Sequence, residues 1–237
     1  MTLNLIGTGL NANSITAEAL EAIKASDKIY LENYTVNFPY QIKDLEKSYG
    51  VKITELERTK VEDESILTEA KSQNISLLVY GDSLSATTHI QLILEAKKQK
   101  IPCKVFHNAS IMTAIAETGL QLYKFGKTAS MPNWAEHTNK PTSFANYIKE
   151  NQSIKAHTLI LTDIGLEIKQ SIEQLQESTK DTPEKIIAIS NAGTPNQKIF
   201  YDTPDNLKNE KVKMPFALII PTELHFIEEE AIKELTK

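Results

Sequence analysis

Short β-branched runs alternate with helical stretches through the first hundred residues. Leu3 to Gly7, Lys28 to Glu32, Val51 to Leu56, Ser76 to Tyr80 and Cys103 to His107 read as strands. Between them, Thr16 to Ala25, Tyr40 to Tyr49, Glu62 to Gln73 and Thr88 to Lys98 read as helices. Their apolar residues recur at helical spacing, as Ala19, Leu20 and Ile23 do, and are expected to pack into a core. This alternation builds a parallel sheet covered by helices, so five strands in one sheet are expected.

After the fifth strand the texture changes. A helix from Ser110 to about Thr118 runs into Gly119, and a polar loop rich in Asn, Pro and Lys follows from about Met131 to Pro141. Apolar runs resume at Thr158 to Asp163, Lys185 to Ser190 and Phe216 to Pro221, separated by helical segments Ser143 to Asn151 and Leu166 to Ser178. The last strand leads into an acidic helix, Glu223 to Leu235, whose Ile227, Ala231 and Leu235 are expected to face the sheet at four-residue steps. The division expected is an N-terminal α/β domain with a parallel sheet, 1–112, and a C-terminal α/β domain, 113–237.

Composition narrows the classes of function. With 237 residues, 41% hydrophobic and 24% charged, the chain has an ordinary globular make-up. Its 26 basic residues never gather into a long run and are outnumbered by 31 acidic ones, so no nucleic-acid partner is expected. A single cysteine, Cys103, excludes internal disulfides and points to a reducing, cytoplasmic setting. The start, MTLNLIGTGL, lacks a signal-peptide pattern, and no apolar stretch is long enough to span a membrane. Histidines 89, 107, 137, 157 and 225 show no ligand spacing, so no metal is expected, and Glu228 to Glu230 read as a solvated helix face.

Two loops carry candidate chemistry. Gly7-Thr8-Gly9-Leu10 after the first strand fits a relaxed dinucleotide fingerprint, with Glu32 standing where an acid would meet the ribose. That reading needs the glycines to open directly into a helix, and here turn and cap residues Asn11, Asn13, Ser14 and Thr16 delay it. A plain tight turn, or a glycine loop that lets backbone approach some other nucleotide-like ligand, stays open beside it. Gly81-Asp82-Ser83-Leu84 spells the nucleophile motif of the GDSL esterases, but no histidine follows an aspartate by three positions to complete such a site.

Taken in order, these motifs resemble the tetrapyrrole methylase family, and within it the branch that forms diphthine. The resemblance rests on the GxGL loop, Gly81-Asp82 with Ala86-Thr87-Thr88-His89, Ala109-Ser110-Ile111, and Thr118-Gly119-Leu120 with Tyr123-Lys124-Phe125-Gly126-Lys127. It continues through Asn133-Trp134, Ile148-Lys149-Glu150-Asn151, His157-Thr158-Leu159, Asp163-Ile164, Ala192-Gly193 and Leu224-His225, nearly the whole chain. Two departures stand out: Ser83 where the family usually has proline, and Asn191 in a stretch that usually carries an arginine.

The resemblance implies two α/β domains of the tetrapyrrole methylase type, with the cofactor S-adenosyl-L-methionine in the cleft between them, no metal, and a homodimer. It also implies successive methylation of the amino group on a 3-amino-3-carboxypropyl arm carried by one histidine of translation elongation factor 2, the protein partner. The short chain suggests the archaeal type, which stops at the trimethylammonium. A tetrapyrrole methyltransferase of the same fold and a dinucleotide-binding α/β protein are the alternatives. By position, the cofactor contacts would be Leu10, Asp82, Ser85, Ser110, Ile111, Thr162, Ala192 and Phe216. Asp82 is expected to meet the cofactor's positive or hydroxyl groups, with loop capping as its plainer role. No catalytic residue is singled out. Trp134 in the polar loop is a candidate contact for the partner protein.

Overall fold

Strand β1 (Thr2–Gly7) is hydrogen-bonded on both sides to parallel neighbours, which places its carboxyl end in the middle of a sheet. The computed structural model describes residues 1–62, 65–179 and 183–236. The chain divides into two compact units, Met1–Met112 and Thr113–Lys237.

In the first unit β1 is joined by β2 (Lys28–Glu32), β3 (Thr54–Leu56), β4 (Asn74–Val79) and β5 (Cys103–Phe106), all parallel, in the order β3-β2-β4-β1-β5. Helices α1 (Ala17–Lys24) and α2 (Ile42–Tyr49) cover one face, packing Ala19, Ile23, Leu45 and Tyr49 against Ile6, Leu31 and Leu78. Helices α3 (Arg58–Glu62), α4 (Ser65–Ala70) and α5 (Ile90–Lys98) lie between β3 and β5 in the chain. Residues of α4 and α5 meet Leu3, Leu5, Leu77 and Val79 on the other face. Alternate residues of β1 and β4 therefore serve opposite cores, which is why their sequences read as largely apolar runs, interrupted in the middle by Asn4 and Ser76, which are buried and hydrogen-bonded to each other. From β1 the chain crosses to β2 on one side, and from β4 it crosses to β5 on the other. The carboxyl ends of β1 and β4 thus form the topological switch point where open α/β sheets gather ligands.

The five expected strands are present, the third beginning at Thr54 rather than Val51. The helix expected over 62–73 is interrupted: α3 ends at Glu62 and α4 spans Ser65–Ala70, with 63 and 64 outside the described residues. The helix expected from Ser110 is α6 (Ile111–Ala114) continued by a 3-10 turn, Ile115–Thr118. It stops at Gly119, whose φ of 90° is left-handed.

The second unit holds β6 (Ala129–Met131), β7 (Thr158–Thr162), β8 (Ile186–Ser190), β9 (Lys198–Asp202) and β10 (Phe216–Ile220) in the order β6-β7-β10-β8-β9. β6 pairs parallel to β7, and the other pairs are antiparallel. With α7 (Ser143–Ser153), α8 (Ile168–Ser178) and α9 (Pro204–Leu207), the sheet encloses a core that includes Phe144, Ile148, Ile172, Leu175 and Leu218. Strands β6 and β9 were not expected: β6 has three residues, and β9 is partly exposed along its length.

The last helix, α10 (Phe226–Leu235), corrects two expectations. It buries Glu228 and Ile232, whereas Ile227 and Leu235 are about half exposed. Glu228 is no solvated residue: it is fully buried because four donors converge on its carboxylate. These are the backbone N–H groups of Gln121 and His225, the Lys124 ammonium and His157 Nε2. Hydropathy spacing could not reveal a carboxylate turned inward by its partners.

Candidate functional site

The loops after β1, β4 and β5 are tied together by backbone and by short polar side chains. Gly9 and Gly81 exchange two backbone hydrogen bonds of 3.0 Å, a local antiparallel bridge between the first two loops. Both glycines are left-handed, with φ of 74° and 73°. A Cβ on Gly7 would stand 2.6 Å from the Gly81 carbonyl oxygen, so these backbones approach closely only without side chains. The same probe on Gly81 meets Ser110 at 3.6 Å, which brings the start of α6 to the same place. Asn108 completes the tie, its side-chain amide donating to the carbonyls of Gly7 (3.1 Å) and Ser14 (3.0 Å). Sequence reasoning missed Asn108; its only signal was a turn-type residue just ahead of Ser110.

Asp82 sits at the hub with its side chain only 9% exposed. Oδ1 accepts the Leu84 N–H at 2.9 Å and faces the Ser85 hydroxyl at 3.5 Å. Oδ2 accepts the Asn108 N–H at 3.0 Å and His107 Nδ1 at 2.8 Å. Burial alone would push this carboxyl up, but the N–H groups of Leu84 and Asn108 and the His107 ring outweigh it and hold it below the usual carboxylate range. Loop organisation accounts for most of its hydrogen-bonding capacity.

Of the remaining candidates in this unit, Leu10 is buried and its carbonyl accepts the Tyr80 hydroxyl at 3.3 Å. Ser110 is buried and its hydroxyl accepts the Met112 N–H at 3.2 Å, beginning α6 at Ile111. Leu10, Asp82, Ser85, Ser110 and Ile111 are thus gathered at the carboxyl ends of the central strands.

The dinucleotide reading is not supported. The glycine loop folds onto the β4 loop, and α1 starts only at Ala17, capped by Thr16 accepting the Ala19 N–H at 3.2 Å. Glu32, the expected ribose acid, is fully buried, 2.7 Å from His89 Nε2 and bonded by the Thr35 hydroxyl at 2.7 Å. His89 Nδ1 in turn lies 3.0 Å from the Ser83 carbonyl oxygen, so the Glu32–His89 pair braces the loop that carries Asp82. Ser83 is fully buried and its hydroxyl has no hydrogen-bond partner, which leaves the esterase reading without a base.

In the second unit, Thr162, Ala192 and Phe216 also come together. The Thr162 hydroxyl donates to the Phe216 carbonyl at 2.8 Å, and Asn191 N–H donates to the Pro215 carbonyl at 2.8 Å, beside buried Ala192. Asn191 has a φ of 50°, a left-handed conformation that asparagine tolerates better than arginine, which gives the departure at this position a local reason. Trp134 is a packing residue. Its Nε1 donates to the Pro141 carbonyl at 3.0 Å, it packs against the core, and Lys140 lies over its ring. The stretches 123–127, 148–151, 157–159 and 224–225 meet in a structural knot. Asn151 bonds Lys127 and Thr158, and Glu228 bonds Lys124, His157 and His225. Among the described residues no group of three or more His, Cys, Asp or Glu could hold a metal ion.

The profile of the Tetrapyrrole (Corrin/Porphyrin) Methylases matches residues 2–208. The chain is 38% identical to the diphthine methyl ester synthase of Dictyostelium discoideum, over 97% of this chain and 96% of that one. It is 34% identical to the diphthine synthase of Archaeoglobus fulgidus, over 98% and 94%. Similarity therefore does not single out the archaeal type. A crystal structure titled as diphthine synthase matches with a TM-score of 0.91 at 33% identity, over 100% of this chain and 96% of that one. The chain belongs to the tetrapyrrole methylase family and, within it, groups with the diphthine synthases.

Proposed function

We propose that this chain is an S-adenosyl-L-methionine-dependent N-methyltransferase that successively methylates the amino group of the 3-amino-3-carboxypropyl-histidine of translation elongation factor 2, giving diphthine. The observation that carries this is likeness to diphthine synthases along nearly the full length of both chains. The site supports it: the bridged glycine loops with Ser85 and Ser110 form a cradle of backbone and hydroxyl groups suited to a polar, nucleoside-bearing ligand.

When bound, S-adenosyl-L-methionine supplies a methyl group on a sulfonium, whose leaving group is a neutral thioether that needs neither metal nor acid. The task of the chain is placement. Leu10, Ser85, Ser110 and Ile111 are the residues of the first unit proposed to hold the donor. Thr162, Ala192 and Phe216 are those proposed in the second. Leu10, Ile111, Ala192 and Phe216 can offer hydrogen bonds only through their backbone groups. Asp82 fixes the two loops that carry Ser85 and Ser110, and keeps negative charge beside them. Held below the usual carboxylate range, it is too weak a base to deprotonate an ammonium. The working state proposed is a cytoplasmic homodimer.

The experiment is mass spectrometry of elongation factor 2 bearing the unmethylated arm after incubation with the chain and S-adenosyl-L-methionine. Successive gains of one methyl mass on the modified histidine are expected, and their number separates the trimethyl product from one carrying a further methyl ester. An unchanged mass would sink the proposal.

A further inference from the structure

We propose that His107 is the general base of the reaction: its Nε2 takes the proton from the ammonium of the substrate arm before each methyl transfer, while Asp82 holds the ring in the tautomer that leaves Nε2 open. This rests on the methyltransferase reading above.

The argument begins with elimination. Across the loops that follow β1, β4 and β5, residues 8–16, 80–89 and 107–110, the side chains that can exchange a proton are Tyr80, Asp82, His89 and His107. The Tyr80 hydroxyl is spent on the Leu10 carbonyl, and burial pushes its pKa up. Asp82 is engaged by four donors. His89 is 2% exposed, one ring nitrogen on the Ser83 carbonyl and the other beside Glu32. His107 is different: its side chain is 69% exposed, at the carboxyl end of β5 and three residues before Ser110.

Geometry then fixes which nitrogen works. His107 Nδ1 lies 2.8 Å from Asp82 Oδ2, and an ionised carboxylate can only accept. The proton of the neutral ring therefore sits on Nδ1, and the lone pair is on Nε2. Asp82 is an accurate anchor because its own Oδ2 is held by the N–H of Asn108, the residue next to His107. Once Nε2 is protonated, the same carboxylate faces the imidazolium and stabilises its charge.

The step balances. An N–H bond of the ammonium breaks as the Nε2–H bond forms, and the freed lone pair makes the N–C bond to the methyl carbon. The C–S bond breaks with its electron pair passing to sulfur, which leaves as a neutral thioether, and His107 returns its proton to water through its exposed edge. The cycle repeats for each N-methylation that starts from a protonated amine.

The test uses the full chain in three measurements. Nitrogen-15 NMR of histidine-labelled protein should show His107 protonated on Nδ1, a signature lost in Asp82→Asn. Calorimetry with S-adenosyl-L-methionine should give His107→Gln an affinity within about threefold of wild type. Its kcat on elongation factor 2 bearing the arm should fall about 10²- to 10⁴-fold, the usual contribution of a positioned base. Added imidazole should restore part of the rate to His107→Ala. The proposal is overturned if the wild-type ring carries its proton on Nε2, or if His107→Gln keeps kcat within about threefold. If the wild-type chain transfers no methyl group at all, the methyltransferase reading falls and this one with it. Transfer by both wild type and His107→Gln removes only the base. The wild-type spectrum does not depend on whether any variant folds.

Discussion

Asp82 accepts the backbone N–H of Asn108 at 3.0 Å, and Asn108 spends its side-chain amide on the Gly7 carbonyl at 3.1 Å, 101 positions earlier in the chain. One carboxylate and one amide thus lock three loops from three adjacent strands. Removing the carboxylate leaves the part-buried N–H groups of Leu84 and Asn108 without their acceptor together, at up to about 1–3 kcal/mol each. Asp82→Ala should therefore lower Tm by several degrees and weaken S-adenosyl-L-methionine binding at least tenfold in calorimetry. Unchanged affinity would mean that this loop does not hold the donor.

The Glu32–His89 pair should make stability fall on the alkaline side. Burial pushes the His89 imidazole down, but the Glu32 carboxylate and the Ser83 carbonyl outweigh it and hold the ring above the ordinary histidine range. A base raised on folding contributes fully below about pH 6.5 and loses that contribution as pH rises through its folded value. In Glu32→Gln the amide can donate to a neutral ring, so the dependence disappears. The Tm advantage of wild type over Glu32→Gln should be largest near pH 6 and shrink toward pH 9, as followed by circular dichroism.

The two units were unequally legible in the sequence. In the first, the central parallel strands β1 and β4 are buried on both faces, and such strands announce themselves as largely apolar runs. In the second, β9 lies at the sheet edge with polar ends, and β6 is three residues long, so neither leaves a clear pattern. Motifs named the candidate site residues, but not the contacts that hold those residues in place. Asp82 reads as an isolated acid in sequence, and only the fold brings Leu84, His107 and Asn108 to it. Glu228 misleads for the same reason, because a run of three glutamates gives no sign that one of them faces His157 and Lys124. Several family motifs, such as residues 123–127 and 157–159, hold the second unit together rather than line its candidate residues.

Gly126 should be intolerant of any side chain. A Cβ there would lie 2.2 Å from Asn151 Oδ1 and 2.6 Å from its Cγ. Asn151 cannot retreat, because it accepts the Lys127 N–H and donates to the Lys127 carbonyl and the Thr158 hydroxyl. Gly126→Ala should cost about 3 kcal/mol or more, through overpacking and a broken buried network. Gly50 is the control: its φ of 70° is left-handed but nothing lies within 4 Å of its Cβ position, so Gly50→Ala should cost only about 1–2 kcal/mol. Urea unfolding of the two variants checks the order, and equal losses would show that Asn151 can move.

Acid should act mainly through Glu228. Burial pushes this carboxyl up, but the N–H groups of Gln121 and His225, with Lys124 and His157, bring it down to about 2. His157 accepts the Thr222 N–H on Nδ1 at 3.0 Å, so it donates to Glu228 through Nε2 as a neutral ring. Burial, the largest influence, keeps it below the ordinary histidine range. Both groups are depressed on folding, so their stabilisation is present at neutral pH and is lost as pH falls. The histidine part goes below about pH 6.5, and the glutamate part, roughly 3 kcal/mol, goes between about pH 4.5 and 2. Glu228→Gln removes the glutamate part at once and leaves the Lys124 ammonium without its carboxylate. It should lose about 3–5 kcal/mol at pH 7, and its stability should then fall less steeply than that of wild type between pH 4.5 and 2, the slope that remains coming from other carboxylates held low, Asp82 among them. Denaturant unfolding of wild type and Glu228→Gln across that range checks both statements, and parallel acid curves for the two proteins would show that Glu228 titrates as an ordinary exposed carboxylate.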